Sequence, residues 1–331
     1  MKKLLFIALL FVLAASAIIV ILNKPAGHSD HTHIVNIQPG VTFGEVAELL
    51  QGQGLISNKQ WLRIVGKLTG ADRKIQPGEY ELHAGLSPIE ILTRLEEGKV
   101  YYHSVTIPEG YTVRQIASVL SEKDLVDREK FLRLTQDPIF IKSLDLDVSR
   151  LEGYLFPDTY FFPRLIPEEE IIQAFVHRLR KAFPPELLDR AKEVKMSIQQ
   201  VLTLASVVEK ETGLSQERSM VAGVFLNRLK QNIPLQSDPT VIYAIEGFDG
   251  NIRKRDLSID SPYNTYRVRG LPPGPIANPG EAAIRAVLYP TPSDYVYFVS
   301  RNDGSHQFSV TLAEHNRAVE KYQKKRQKQA S

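Results

Sequence analysis

The chain has 331 residues, of which 43% are hydrophobic and 24% charged, an ordinary globular composition with room for about two domains. Its 41 basic and 38 acidic side chains leave a net charge of only +3, so charge predicts no nucleic-acid partner. No cysteine occurs, which excludes disulfides, thiolate metal sites, a cysteine nucleophile and a lipid-modified cysteine.

The amino terminus predicts a membrane anchor. Residues 4–22 carry no charge and follow Lys2 and Lys3, and a helix of that length spans about 28 Å, close to the thickness of a bilayer core. A cleaved signal peptide is the alternative because "LAASA" offers small residues, but the apolar "IIVIL" continues beyond it. The two lysines should stay in the cytoplasm, which places everything after Leu22 outside.

Residues 23–32 predict a linker, and residues 323–331 a basic tail that frays into solvent. The linker region contains His28, His31 and His33, but no acidic or histidine partners recur nearby at the spacing of metal ligands. A flexible tether is therefore favoured over a metal site.

An internal repeat follows the linker. Residues 33–65 align without gaps to residues 103–135, and each copy predicts a strand, a glycine turn and a helix opened by a capping box. Further on, the first copy predicts a strand around Tyr80–Leu82 and a helix beginning at Ser87. We expect a small strand–helix–helix–strand module that is used twice with variations.

Helical patterns dominate after residue 150. The predicted helices are Glu168–Phe183, Ile198–Glu211 with a Ser197–Gln200 capping box and Gly213 at its end, Glu217–Lys230, Gly280–Leu288 and one opening at Thr311. A hairpin with its turn near Asp303-Gly304 precedes the last helix. Residues 232–280 are irregular and rich in proline and glycine, which is typical of a functional loop region. The predicted fold class is α+β.

Two glutamates, Glu209 and Glu211, end the helix Ile198–Glu211. They flank Lys210 by about 100° on opposite sides, so they cannot enter one small pocket, and periodicity does not choose between them. A surface or salt-bridged role is the alternative to catalysis. If Glu209 packs on Ala205 and Leu202, desolvation would raise its pKa and suit it for general-acid catalysis.

Other catalytic schemes have weaker support. The sequence has no G-x-S-x-G elbow and no H-E-x-x-H pair, and it predicts neither a metal nor a cofactor. A two-carboxylate glycosidase would need a second acid, for which Asp238 and Glu217 are available. A turn at "SDPT" and a helix start are sufficient explanations of those two residues.

Several motifs recur here in the order and spacing of one family. They are "EGYLFPDTY", "ASVVEKET", "VFLNRL", "LQSDPTVIYAI", "SPYNTY", "GLPPGPIANPG", "YVYFV" and "LAEHN". With the single amino-terminal span, they resemble the endolytic murein transglycosylases, the YceG-like family. The resemblance covers roughly residues 103–322.

The resemblance implies a lytic transglycosylase anchored in the inner (cytoplasmic) membrane, with its catalytic domain in the periplasm or extracytoplasmic space. It would cut nascent peptidoglycan strands between N-acetylmuramic acid and N-acetylglucosamine. It implies that Glu209 is the catalytic acid and Glu211 its neighbour. The muramyl 6-hydroxyl would act as nucleophile and give a 1,6-anhydro end, so that no second carboxylate is needed.

The resemblance also places substrate-binding residues in the loop region: Gln236, Asp238, Tyr263, Asn264 and Tyr266. Tyrosine faces with amide and carboxyl edges suit sugar rings, and packing of the loop by the two tyrosines is the alternative. Peptidoglycan is the implied partner, with peptidoglycan synthases as further candidates.

The implied domains are a transmembrane helix at 4–22, a linker at 23–32, a LysM-like module at 33–102, a catalytic domain at 103–322 and the tail. The module resembles LysM in its strand–helix–helix–strand order but has "IQPGVT" where that family commonly has a Gly-Asp-Thr step. A spacer role is therefore the alternative to glycan binding. The rival functions are a two-carboxylate muramidase and a membrane-tethered peptidoglycan-binding scaffold without catalysis.

Overall fold

The amino-terminal helix is the longest element of the protein. The structure is a computed structural model that describes residues 2–28 and 31–324, so residues 29–30 of the predicted linker and 325–331 of the predicted tail lie outside it. Helix α1 runs from Lys2 to Leu22, and its stretch Leu5–Leu22 is long and apolar enough to cross a membrane. None of that stretch is buried within the protein.

The chain forms two compact units, and α1 belongs to the first of them. Unit 1 comprises Met1–Ser104 and Phe161–Ile166, and unit 2 comprises Val105–Tyr160 and Pro167–Ser331. Unit 1 contains strands β1 (Thr32–Ile37) and β2 (Gly78–His83), helices α2 (Phe43–Gly52), α3 (Lys59–Thr69) and α4 (Pro88–Glu96), and a 3₁₀ turn at Ala71–Arg73. The predicted strand–helix–helix–strand order is confirmed by β1, α2, α3 and β2.

The two strands of unit 1 pair antiparallel, with Val35 opposite Tyr80. Both side chains are fully buried with Leu50, Leu62 and Leu95 from the three helices, so one core holds the unit together. The Tyr80 hydroxyl donates to the Gln76 carbonyl at 2.6 Å, which satisfies its polar end inside the core.

Strands β3 (Tyr102–Thr106) and β4 (Thr159–Pro163) form a second two-stranded sheet. The second copy of the repeat supplies β3 and helices α5 (Val113–Glu122) and α6 (Arg128–Leu134). An additional helix, α7 (Pro138–Ser143), comes before β4.

Unit 2 is mostly helical. Its further elements are α8 (Glu168–Lys181), α9 (Pro185–Glu193), α10 (Ile198–Glu211), α11 (Arg218–Lys230), α12 (Asp238–Ala244), a 3₁₀ turn (Asp256–Ser258), α13 (Glu281–Leu288), β5 (Tyr297–Ser300), β6 (His306–Ser309), α14 (Leu312–Val319) and a π turn (Glu320–Lys324). Strands β5 and β6 form the predicted hairpin, and the mixed content confirms the α+β class.

Helix α10 lies at the centre of unit 2, against α11, α12 and α13. All eight residues from Val201 to Val208 are buried, which explains why an apolar run forms a helix here. The loop region 232–280 wraps this helix with little regular structure besides α12 and one 3₁₀ turn, as its composition predicts.

Candidate active site

Helix α10 is fixed at both ends. Ser197 accepts from the Gln200 amide, while the Gln200 side chain accepts from the Ser197 amide, which confirms the predicted capping box. The helix ends at Glu211, and Thr212 is already extended, so Gly213 is not the left-handed cap that the sequence predicts. The last turn therefore presents Glu209, Lys210 and Glu211 in fixed directions.

Glu209 lies in a buried ion pair. Its Oε1 accepts from Arg218 Nη2 at 2.9 Å, and its Oε2 accepts from the Gly280 amide at 3.0 Å. Only 5% of the Glu209 side chain and 11% of the Arg218 side chain are exposed. A cation and a backbone amide thus meet the two oxygens of Glu209, so its carboxyl group does not lie in a purely apolar environment.

A second carboxyl group, that of Glu109, lies against the same two partners. Glu109 Oε2 is 3.7 Å from Arg218 Nη2, and a side chain at Gly280 would place its Cβ 1.8 Å from Glu109 Oε1. Burial, and then the charge of Glu209, raise the pKa of Glu109, while Arg218 lowers it. Glu109 and Glu209 therefore share one guanidinium, and a Cβ at position 280 would displace the carboxyl group of Glu109.

Gly110 follows Glu109 at φ +74° and brings this loop onto the last turn of α10. Its missing Cβ would lie 3.4 Å from Glu209 Cγ and 3.4 Å from Lys210 Cδ. The Gly110 amide donates to the Asn278 carbonyl at 2.8 Å. The loop of Glu109 is thus held by the segment that supplies Gly280.

Glu211 faces a different group of residues. Ser237 donates its hydroxyl to Glu211 Oε1, and Tyr266 donates to Asp238 Oδ1 at 2.6 Å. Glu211 is half-buried as a residue, but burial of its carboxyl group raises its pKa to about 7. Arg228 donates to Gln236 Oε1 at 3.3 Å, and Gln236 holds a left-handed backbone at φ +53°. Three predicted binding residues, Gln236, Asp238 and Tyr266, therefore gather on the side of Glu211.

The other two predicted binding residues have separate environments. Tyr263 packs on Tyr243 with ring centroids 4.9 Å apart. Asn264 is fully buried, and its amide donates to the carbonyls of Leu257 and Ile259 while its oxygen accepts from the Tyr266 amide. Asn264 thus holds the loop together.

Two polar side chains of α10, Gln199 and Ser206, bind the backbone of the loop that leads to Gly280. Ser206 accepts from the Ile276 amide at 3.0 Å, and Gln199 donates to the Pro273 carbonyl at 3.1 Å. These two side chains anchor the loop 273–276 against the helix, which orients the segment leading to Gly280.

Glu217, a second acid considered from the sequence, is engaged elsewhere. Its carboxylate accepts from the His306 amide at 3.0 Å and contacts His306 Nδ1 at 2.6 Å. It therefore ties the start of α11 to β6. Among the described residues, the carboxyl group that shares a cation with Glu209 is Glu109, not Glu217.

A family model described as the YceG-like family matches residues 35–321. The chain belongs to the YceG-like family. A Bacillus subtilis (strain 168) protein named endolytic murein transglycosylase is 35% identical over 306 residues, covering 87% of this chain and 84% of that protein. A protein of the same name from Streptococcus pneumoniae serotype 2 is 32% identical over 317 residues, covering 86% of this chain but only 57% of that protein.

The YceG-like fold is also seen in a crystal structure at 2.6 Å of a YceG-like protein from Listeria monocytogenes. That protein is 34% identical to this chain and superposes with a TM-score of 0.62, covering 87% of this chain and 99% of that one. The two-unit chain described above thus has a solved relative over most of its length.

In this YceG-like chain, sequence analysis missed Glu109, Arg218 and Gly280. Glu109 is 100 positions from Glu209, so no spacing rule connects the two residues. In the sequence, Arg218 is a basic residue near the start of a predicted helix, and nothing distinguishes it from a surface arginine. The one available signal was the pair of positions Glu109-Gly110, a turn placed directly before a capping box.

Proposed function

We propose that this YceG-like protein is a peptidoglycan lytic transglycosylase that cuts glycan strands internally and leaves 1,6-anhydromuramyl ends. The name borne by its relatives supports the activity. The structural observation that carries the proposal is the environment of Glu209. Its nearly buried carboxylate accepts hydrogen bonds from Arg218 and from the Gly280 amide, and it lies within the segment matched by the family model.

Glu209 is the proposed acid and base. It gives a proton to the oxygen that joins N-acetylmuramic acid to the following N-acetylglucosamine, and that bond breaks. The muramyl 6-hydroxyl then bonds to its own anomeric carbon and returns its proton to Glu209. No water is consumed and Glu209 ends as it began.

Glu109 is the proposed source of the proton on this pair. Burial, and then repulsion by the charge of Glu209, favour the protonated form of Glu109, while Arg218 opposes it. The raised pKa of Glu109 agrees with that arrangement. The Arg218 cation and the Gly280 amide then fix Glu209 in the direction of the substrate.

We propose that Gln236, Asp238, Tyr263 and Tyr266 bind the glycan. Each is at least partly exposed, and each lies in the irregular loop region. Asn264 is assigned to the loop scaffold because its amide is fully used by neighbouring backbone groups. This division keeps sugar contacts on exposed side chains and the loop shape on a buried one.

Residues 4–22 are proposed to span the inner membrane with the amino terminus in the cytoplasm, since Lys2 and Lys3 precede the span. We propose the linker at 23–32, a LysM-like module at 33–102 that holds glycan or spaces the enzyme from the membrane, and the catalytic domain at 103–322 with the tail behind it. Peptidoglycan synthases are the proposed protein partners because they make the strands that would be cut.

Product masses on uncross-linked peptidoglycan test the function. We expect internal fragments with 1,6-anhydro ends from the wild type, and a loss of roughly 10²–10⁴-fold in rate in Glu209→Gln. Glu211→Gln is the matched control because it removes a carboxyl group two residues away, and it should keep the products.

Other outcomes have definite meanings. Reducing ends would indicate a two-carboxylate hydrolase. Loss of activity in Glu211→Gln alone would move the acid to Glu211. No cleavage by a folded wild-type protein, on strands that a control lysozyme cuts, would favour the non-catalytic scaffold.

A further inference from the structure

Unit 2 contains a cavity of about 980 Å³ that the mechanism above does not use. Its wall is formed by the start of α5, the end of α6, residues 150–152 and part of α12, and Lys210 reaches it from the last turn of α10. Cavities of about 300–1,000 Å³ are the usual size of sites for small organic ligands. The cavity is therefore large enough for a short peptide.

Cationic side chains line this cavity. Arg133, Arg150 and Lys210 belong to its wall, and in residues 2–28 and 31–324 none of the three is in an ion pair. All three residues are exposed. Lys210 Nζ also donates to the Gly110 carbonyl at 3.4 Å, and the charge of Arg150 acts on the buried Glu152. A wall of this kind favours a ligand with carboxylates.

The acidic side chains in the wall do not cancel these cations. Glu129 is paired with Arg128 at 2.7 Å, and Glu246 lies 3.8 Å from Arg114. The third acid, Glu152, is buried, and burial raises its pKa to about 7. The cavity thus keeps an excess of positive charge.

The floor of the cavity is rigid. Glu152 accepts from the Val113 amide at 3.0 Å, from Asn278 Nδ2 at 3.2 Å and from the Tyr243 hydroxyl at 3.3 Å. Because Val113, Glu152 and Tyr243 all line the cavity, a ligand would meet a preformed surface.

The cavity reaches the last turn of α10, the turn that carries Glu209. Lys210 lines the cavity and follows Glu209 in the chain. Glu209 Cγ and Lys210 Cδ would each lie 3.4 Å from a Cβ built at Gly110, so both side chains approach the same glycine. In murein the peptide is carried by the lactyl group of N-acetylmuramic acid, on the sugar whose anomeric bond would be cut. A peptide on that sugar would therefore begin close to the bond that Glu209 is proposed to cut.

We propose that this cavity binds the carboxylate-bearing stem peptide of the muramyl residue at the cleavage point. The inference rests on the proposed function, which it extends from the glycan to the peptide. The protein would then distinguish strands with stem peptides from strands without them, because strands without peptides lose the contacts to Arg133 and Arg150.

The test compares two substrates of equal glycan length, one with stem peptides and one stripped of them by an amidase. The full-length protein is assayed as wild type, as Arg133→Gln/Arg150→Gln, and as Arg73→Gln/Arg317→Gln, a control with the same loss of charge at exposed arginines outside the cavity. We expect kcat/KM of the cavity variant to fall about tenfold or more on peptide-bearing strands and to be unchanged on stripped strands. The control variant should match the wild type on both.

Equal effects of the cavity variant on both substrates, or no effect on either, would overturn the proposal. Binding of a synthetic acidic stem tripeptide, followed by calorimetry, decides the matter without catalysis: wild type and control should bind it, and the cavity variant should bind more weakly. A wild-type protein that cuts neither substrate but binds the tripeptide would refute the proposed activity and keep the peptide site. Absence of tripeptide binding to an active wild type would refute the site and keep the activity.

Discussion

The buried carboxyl group of Glu211 should make unit 2 less stable as the pH rises. Burial raises its pKa from 4.5 to about 7, so between those values the folded state holds a proton that the unfolded state has lost. The stabilisation is fully present below the unfolded pKa and is lost as the pH passes through about 7. Each pKa unit is worth about 1.4 kcal/mol, so this group contributes roughly 3 kcal/mol.

Glu211→Gln replaces the acid by a neutral group of the same shape, whose oxygen can still accept from Ser237. At about pH 5 the variant and the wild type should have similar free energies of unfolding. At about pH 8 the variant should be more stable by up to roughly 3 kcal/mol, because the wild type must bury an anion or release it to solvent.

Urea unfolding followed by circular dichroism measures the free energy of unfolding of unit 2, because that unit contains most of the helices. The single tryptophan, Trp61, lies in unit 1, so its fluorescence follows the unit that lacks Glu211 and serves as an internal control. A variant with the same dependence of unfolding on pH as the wild type would refute the reasoning. A change confined to the Trp61 signal would do so as well.

Three further substitutions or deletions have clear expected outcomes. Gly280→Ala should lower activity by roughly a hundredfold, because its Cβ would displace the carboxyl group of Glu109, whose Oε1 lies 1.8 Å from that position. Gly213→Ala is the control and should keep full activity, because nothing lies within 4 Å of its Cβ. Equal rates of the two variants would show that the contact at Gly280 tolerates a methyl group. Tyr266→Phe removes the 2.6 Å hydrogen bond to Asp238 and should raise KM for glycan strands without lowering kcat. An unchanged KM would show that Tyr266 and Asp238 do not belong to the binding site. Deletion of residues 2–22 should move the protein from the membrane fraction to the soluble fraction and keep its activity on soluble glycan strands. A truncated protein that stays in the membrane fraction would point to a second membrane attachment.

Local chemistry explains what the sequence could predict. The capping boxes at Thr42, Ser87, Thr112, Ser197 and Thr311 are each formed by residues three positions apart, and all five are present in the structure. Periodicity likewise gave the course of the helix Ile198–Glu211, because a continuous apolar run can be read within one segment.

Contacts between distant segments explain what it could not. The partners of Glu209 come from residues 218 and 280, and Glu109 reaches the same arginine from a third segment. Nothing in the spacing of these residues connects them. The burial of Glu211 depends in the same way on Ser237, from a loop whose path the sequence does not give. The family resemblance selected Glu209 between the two glutamates, but only coordinates show that the two carboxyl groups have opposite surroundings.

The side chain of Asn278 has a consequence for how the protein is made. It accepts from the Leu155 amide at 2.8 Å and donates to the Tyr111 carbonyl at 2.8 Å, so one residue joins segments separated by 123 and 167 positions. Such long-range contacts form slowly because a large loop must close first. During synthesis Glu209 emerges long before residues 278–280, and the nascent chain stays without its assembled carboxylate pair until that late segment has folded back.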